Sequence, residues 1–228
     1  MKIAAIQGSS TIDYPDQISC VLFTQGCPYD CFYCHNRSLI SPLGGGDEDL
    51  FAFLAKRRGL LDAVVISGGE PTMQSDLVET VKTIKQKGFL VKLDTNGCNP
   101  AVVNSLVEMN LLDYLALDVK ATAEEYPHVC GPAARWEPVS KTLNLLRQST
   151  IAWEVRTTVY PTLSFSELQE IADTIGSIPL WRLNSYRIPP QYKEEDNERI
   201  LHPAHSKEAL LRWVEKKRKD LPPSNIII

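Results

Sequence analysis

Ala63-Val64-Val65-Ile66-Ser67-Gly68-Gly69-Glu70-Pro71 runs four apolar residues into a paired-glycine turn and a proline. A short continuous apolar run suits a parallel strand covered on both faces. Proline stops the strand, and the glycines let the backbone come close to a ligand. Tyr114-Leu115-Ala116-Leu117 reads the same way. Working outward, the pattern predicts strands at Ile18–Phe23, Ala63–Ser67, Leu90–Asp94, Tyr114–Val119, Ala152–Val159 and Trp181–Arg187. Helices are predicted at Asp47–Arg57, Ser75–Lys87, Pro100–Met109, Val139–Gln148, Phe165–Ile175 and Lys207–Lys219. Asn99 before Pro100 marks one helix start, and Ser164 with Glu167 forms a capping-box pattern at another. Six strand–helix units imply an α/β fold, a partial (β/α)6 TIM-like barrel, since a full barrel takes about 250 residues. A doubly wound open sheet is the alternative. One domain is expected over 1–228, with 1–17 an N-terminal extension leading into the first strand. Gly44-Gly45-Gly46 reads as a loop.

The whole chain bounds the function. Its 228 residues are 43% hydrophobic and 23% charged, an ordinary globular composition. A net charge of -4 gives no sign of nucleic-acid binding. The basic run Lys216-Lys217-Arg218-Lys219 reads as the solvated last turns of a helix. The first residues are too short and polar for a signal peptide, and no apolar stretch would span a membrane, so a cytoplasmic protein is expected.

Three of the six cysteines sit together in Cys27-Pro28-Tyr29-Asp30-Cys31-Phe32-Tyr33-Cys34. This loop follows the first predicted strand and so lies at the end of the sheet where α/β proteins do chemistry. Three thiolates at this spacing can hold a [4Fe–4S] cluster and leave one iron open to a substrate. Zinc is an alternative, but it needs a fourth ligand, and His35 is awkwardly adjacent to Cys34. Three simply buried thiols would be unusual in one short polar loop. Cys20 alternates within an apolar strand and reads as buried, while Cys98 and Cys130 are scattered. His128, His202 and His205 read as surface residues.

Cys-x3-Cys-x2-Cys with Tyr33 before the last cysteine resembles the signature of the radical SAM superfamily. That resemblance implies one [4Fe–4S] cluster on Cys27, Cys31 and Cys34, with S-adenosylmethionine (SAM) chelating the free iron. Reductive cleavage of SAM would then yield methionine and a hydrogen-abstracting 5′-deoxyadenosyl radical. It also implies that Tyr33 contacts the adenine. Gly68-Gly69-Glu70 resembles the family's GGE motif, which receives the SAM amino group.

Asp94, before Thr95-Asn96-Gly97, and Asp118, before Val119-Lys120, end adjacent predicted strands. Two carboxylates at one rim could hold a hard cation. The bland alternatives are an Asn-Gly turn and an Asp118–Lys120 ion pair. Ile12-Asp13-Tyr14-Pro15, Cys34-His35-Asn36 and Leu93–Gly97 resemble the activating enzymes of anaerobic ribonucleotide reductase and pyruvate formate-lyase. By that resemblance Asp94 and Asp118 line a cation site beside SAM, Lys120 lies in the cleft, and Arg156 matches a cleft arginine. Such an arginine could pair with the SAM carboxylate. Val64–Pro71 and Arg156–Val159 are most similar to the longer ribonucleotide reductase activases. The formate-lyase activases carry a histidine in Leu-Pro-Tyr-His where this chain has Asn184-Ser185-Tyr186-Arg187.

The function implied is abstraction of hydrogen from a glycine of a large glycyl radical enzyme, with class III ribonucleotide reductase leading and flavodoxin or ferredoxin supplying the electron. A formate-lyase-type activase, or a small-molecule enzyme such as a 7-deazaguanine-forming synthase, is the alternative. A non-catalytic iron–sulfur or zinc module is disfavoured by the pairing of the GGE and cysteine motifs.

Overall fold

The computed structural model describes residues 1–41, 49–220 and 225–228, with backbone only at 218–220 and 225. In chain order the elements are β1 (Ile3–Ser10), β2 (Ser19–Thr24), α1 (Leu50–Lys56), β3 (Ala63–Gly68), α2 (Leu77–Gln86) and β4 (Leu90–Thr95). Next come α3 (Pro100–Glu108), β5 (Tyr114–Asp118), α4 (Tyr126–Cys130), α5 (Trp136–Gln148), β6 (Ala152–Val159) and α6 (Phe165–Ile175). The chain ends with β7 (Leu180–Ser185), α7 (Asn197–Leu201), α8 (Lys207–Asp220) and β8 (Asn225–Ile227). Among the described residues the strands form one sheet in the order β1 to β8. β1 runs antiparallel to β2, and β2 to β8 are parallel.

The six predicted strands are β2 to β7, and the parallel β/α core is the partial barrel that the pattern implied. Two strands flank it that the sequence reading did not contain. Residues 3–10, read as part of an extension, pair with β2; their small residues give a weak apolar pattern, and the pairing makes the strand. The predicted strand to Arg187 stops at Ser185. Gly44–Gly46 and the first residues of the predicted helix at 47–57 lie outside the described residues. The helix itself starts at Leu50, where the Asp49 carboxylate accepts from the amides of Phe51 and Ala52. At α6 the Ser164–Glu167 capping box forms as expected. α4 and α7, five residues each, are too short to show a helical period.

Alternate strand residues face opposite sides of the sheet. Cys20, Leu22, Val64, Ile66, Leu93 and Leu117 join the main core beneath the helices. Val21, Ala63 and Val65 face inward and pack with Tyr14. From β4 onward the inner positions turn polar. Lys92 pairs across from Tyr114, Asp118 from Arg156, and Arg156 from Arg182. That is why β3 reads as unbroken apolar sequence while β4 and β6 alternate. Glu154, buried inside, accepts from Arg182 Nε at 3.2 Å. On the outer face Trp181 Nε1 donates to Thr157 Oγ1 at 3.0 Å, and Trp213 of α8 meets the Trp181 ring edge-on at 6.0 Å.

Candidate functional site

The loop after β2 is pinned at both ends by backbone hydrogen bonds. Gly26 N donates to Leu39 O at 2.7 Å and Cys27 N to Ile40 O at 3.1 Å. Further along, Asp30 N donates to Cys130 O at 2.8 Å and Phe32 N to Val129 O at 3.1 Å, which ties the cysteine loop to α4. Arg37 donates to the Cys31 carbonyl at 3.2 Å and pairs with Asp30, which Lys193 also meets at 2.7 Å. Phe32 is buried under the Arg199 guanidinium, 4.2 Å from its ring centre. Tyr33 stacks on Tyr160 with centroids 5.2 Å apart, and its buried hydroxyl has no hydrogen-bond partner among the described residues.

At the end of β3 the two glycines are needed for packing. Gly68 has φ +114, and a Cβ there would stand 2.2 Å from Thr24 N. A Cβ on Gly69 would stand 2.2 Å from Gly26 O. The glycine pair thus lets this turn lie against the start of the cysteine loop, while both glycines also line the cavity, so the backbone stays open to a ligand there. Glu70 is fully enclosed. Its Oε1 accepts from Thr72 N at 3.0 Å, Thr72 Oγ1 at 2.6 Å and Thr95 Oγ1 at 2.7 Å, and its Oε2 from Asn96 N at 2.8 Å. Burial pushes the Glu70 carboxyl up against these four bonds. The carboxylate ties the end of β3 to the end of β4.

Asp94 and Asp118 do meet at the rim, as the topology predicts. Arg156 bridges them, donating from Nη1 to Asp94 at 3.1 Å and from Nε to Asp118 at 3.1 Å. Lys120 donates to the other Asp118 oxygen at 3.0 Å. Lys92 Nζ lies 3.2 Å from Asp94 Oδ1, close enough for an ion pair although that oxygen lacks a well-aligned donor. Burial raises the Asp118 carboxyl, but Lys120 and Arg156 outweigh it and hold Asp118 below the usual carboxylate range. Burial lowers Lys120, and the Asp118 charge overturns that and raises it well above its ordinary value. The chain supplies three cations around these two carboxylates, so the expectation of a separate cation finds no support.

The candidate site residues Cys27, Cys31, Tyr33, Cys34, Gly68, Gly69, Glu70, Asp94, Asp118, Lys120 and Arg156 all line one cavity of about 280 Å³ at the C-terminal ends of the strands. One wall carries Cys27, Cys31 and Cys34, and another the Asp94–Arg156–Asp118 chain. The cysteines are free thiols. Burial pushes the Cys27 thiol up to about 12 and also raises Cys34. A hydrogen bond with Cys130 and then burial raise Cys31. Such buried thiols gain charged form only with a cation against them, which is what a metal supplies. Among the described residues no three of His, Cys, Asp and Glu gather tightly enough for a single ion. His35, adjacent to Cys34, donates Nε2–H to the Arg187 carbonyl at 3.0 Å, which leaves Nδ1 as its one nitrogen for a metal. The three-thiol donor set fits a four-iron cube, which spreads its ligands apart; a tetrahedral zinc would need a fourth ligand beside them.

The cavity also draws in residues that the sequence reading gave no role, notably Asn96, Thr158 and Asn184. Asn96 lay inside a quoted motif, but nothing in the sequence shows which way its amide points. Cys20 is buried as expected. Cys98 and Cys130 are less scattered than their spacing suggests. Each interacts electrostatically with a loop cysteine, Cys98 with Cys27 and Cys130 with Cys31. His128 and His202 are exposed. His205 departs from that expectation: it is half-buried, its Nε2 is 2.7 Å from Leu163 O, and its ring packs on Phe165. Among the described residues no helix is long and apolar enough to cross a membrane.

Comparison with known proteins agrees with this geometry. Residues 21–175 match the model of the Radical SAM superfamily. A provisionally named glycyl-radical enzyme activating enzyme of Methanocaldococcus jannaschii is 35% identical over 204 residues, 85% of this chain and 83% of the relative. The pyruvate formate-lyase 1-activating enzyme of Escherichia coli is 33% identical over 135 residues, 54% of each chain. Among solved structures, Streptococcus suis SuiB bound to S-adenosylmethionine superposes with a TM-score of 0.68 at 14% identity. That match covers 89% of this chain and 47% of that one, and shows a shared fold.

Proposed function

The chain belongs to the radical SAM superfamily, and we propose that it activates a glycyl radical enzyme, with class III anaerobic ribonucleotide reductase the leading partner. The observation that carries this reading is the cysteine loop facing the Asp94–Arg156–Asp118 chain across one cavity. A bound [4Fe–4S] cluster and SAM supply one-electron cleavage of a sulfonium C–S bond and a hydrogen-abstracting species; the protein holds and orients them.

Cys27, Cys31 and Cys34 hold the cluster and leave one iron for SAM. Lys120, close to these sulfurs, offsets their charge and is itself held by Asp118. Arg156 is fixed by two carboxylates, and its remaining N–H groups serve the SAM carboxylate. Tyr33, stiffened by Tyr160, borders the adenine. The turn at Gly68–Glu70 borders the SAM amino group, with the Glu70 carboxylate fixing the turn from behind. Flavodoxin or ferredoxin supplies the electron.

Activating enzymes among the relatives support a glycine as hydrogen donor. The motif resemblance at Val64–Pro71 and Arg156–Val159 favours the reductase. A formate-lyase partner is the second reading, favoured by the Escherichia coli relative. The test is anaerobic incubation of reconstituted protein with reductant, SAM and each candidate partner. The correct partner gives one 5′-deoxyadenosine per glycyl radical and a doublet in electron paramagnetic resonance, which Gly→Ala in the partner's loop erases. If no glycyl radical enzyme from the same genome gains the doublet, a small-molecule substrate replaces this reading.

A further inference from the structure

Asn96 is buried at the end of β4, and its amide orientation is fixed. Its Oδ1 accepts from the backbone N–H of Cys98 at 2.9 Å. The amide nitrogen must then point the other way, and it lies 3.8 Å from Cys27 Sγ. The Asn96 backbone is fixed too, because its N–H donates to Glu70 Oε2. Nothing about this donor waits on a ligand. The backbone N–H of Tyr29 also serves the Cys27 sulfur, so Asn96 adds a side-chain donor to one already there.

We infer that Asn96 is a positioning and tuning residue that acts through Cys27. By donating N–H to the ligand sulfur, it raises the reduction potential of the cluster and so eases entry of the electron that SAM cleavage consumes. Hydrogen bonds to ligand sulfurs are among the main determinants of iron–sulfur potentials. Reduction adds negative charge that spreads onto the sulfurs. A fixed donor therefore stabilises the reduced state more than the oxidised one. The donor costs no reorganisation, since Cys98 and Glu70 already hold it.

This inference rests on the cluster assignment to Cys27, Cys31 and Cys34. Iron and sulfide in the wild-type holoprotein are therefore measured first, and absence of a cluster there overturns both. The test is a redox titration of anaerobically reconstituted wild type, Asn96→Leu and Asn96→Asp, followed by electron paramagnetic resonance. Asn96→Asp keeps the acceptor for Cys98 but replaces the donor with a carboxylate, whose charge also lowers the potential; Asn96→Leu loses the donor without adding charge. Both midpoints should move to more negative potential. A tenfold fall in the reduced-to-oxidised ratio at fixed potential corresponds to about 59 mV for one electron. In wild type the Fe–S(Cys) resonance Raman bands should shift in D2O, and the shift should shrink in Asn96→Asp. Unchanged midpoints in variants with full iron overturn the inference. So does a loss of SAM affinity without any change of potential. Should Asn96→Leu fail to fold, the wild-type deuterium shift and its reduction in Asn96→Asp decide the matter.

Discussion

Gly69→Ala is the smallest change that should disable this site without removing a cluster-ligating cysteine. The new Cβ would stand 2.2 Å from Gly26 O, 2.8 Å from Gly26 C and 3.2 Å from Leu39 O. All three are backbone atoms, so no flexible side chain can swing away. To reach the 3.4 Å of ordinary contact, the Gly26 carbonyl must retreat by about 1.2 Å. That carbonyl accepts from Glu70 N at 2.8 Å, so the same movement breaks a backbone hydrogen bond. Overpacking typically costs about 1–3 kcal/mol and a lost hydrogen bond about 1 kcal/mol, so the expected destabilisation is about 3 kcal/mol. The displaced residue immediately precedes Cys27, so iron uptake should fall as well. Gly8→Ala is the control, because its Cβ meets only Arg57 Nη2, at 3.5 Å. Alanine there should be neutral or stabilise the strand by about 0.5 kcal/mol. Urea unfolding of the apoprotein, followed by tryptophan fluorescence, measures both, and iron and sulfide are assayed after reconstitution. Wild-type stability and full iron in Gly69→Ala would refute the packing argument.

Replacing any of Cys27, Cys31 or Cys34 by Ala should abolish SAM cleavage and reduce bound iron, while Cys20→Ala, on the outer face of the sheet, should keep its cluster. Asp118→Asn should destabilise the apoprotein by about 3 kcal/mol, because it strips a partner from both Lys120 and Arg156. Since Asp118 titrates below an unfolded aspartate, its stabilisation is complete above about pH 4 and is lost as pH falls through the lowered folded value. The gap between wild type and Asp118→Asn should therefore close in acid and stay constant near neutrality, which denaturant titrations from pH 3 to 7 can read. Arg156→Lys should weaken SAM binding measured by calorimetry, because an ammonium cannot span Asp94 and Asp118 while presenting a flat fork; unchanged affinity would remove Arg156 from the pocket. Ser164→Ala should cost about 1 kcal/mol of stability through the lost capping box, with SAM binding unaffected.

The residues that announce themselves in the sequence are those whose role fixes their type. Three thiols in eight positions, a Gly-Gly turn after an apolar run, and aspartates at two strand ends all carry a chemical constraint visible without coordinates. The parallel strands were legible for a similar reason, since burial on both faces leaves no room for polar residues in β3. β1 was not legible, because its sequence, IAAIQGSS, commits to neither face and the strand exists through pairing with β2. The alternation in β4 and β6 carried information that single-strand reading could not use. It marked the charged lining of a barrel, which requires knowing which strands stand side by side. The partners of Glu70 were hidden for the same reason. Thr95 and Asn96 lie a whole strand–helix unit away in sequence. Charge alone could not distinguish a cation-binding aspartate pair from one already bridged by Arg156.

The ties from Asp30 to Cys130 and from Phe32 to Val129 set a schedule for synthesis. The cysteine loop leaves the ribosome roughly 100 residues before the segment that seals it. At the usual elongation rates of about 5–20 residues per second, three thiols wait ~5–20 s without their cover. Cys130, which contacts Cys31 in the finished protein, arrives only at the end of that interval. Air present during translation therefore meets the ligands at their most accessible. Oxygen supplied then should lower the yield of cluster-competent chains more than the same exposure of completed apoprotein.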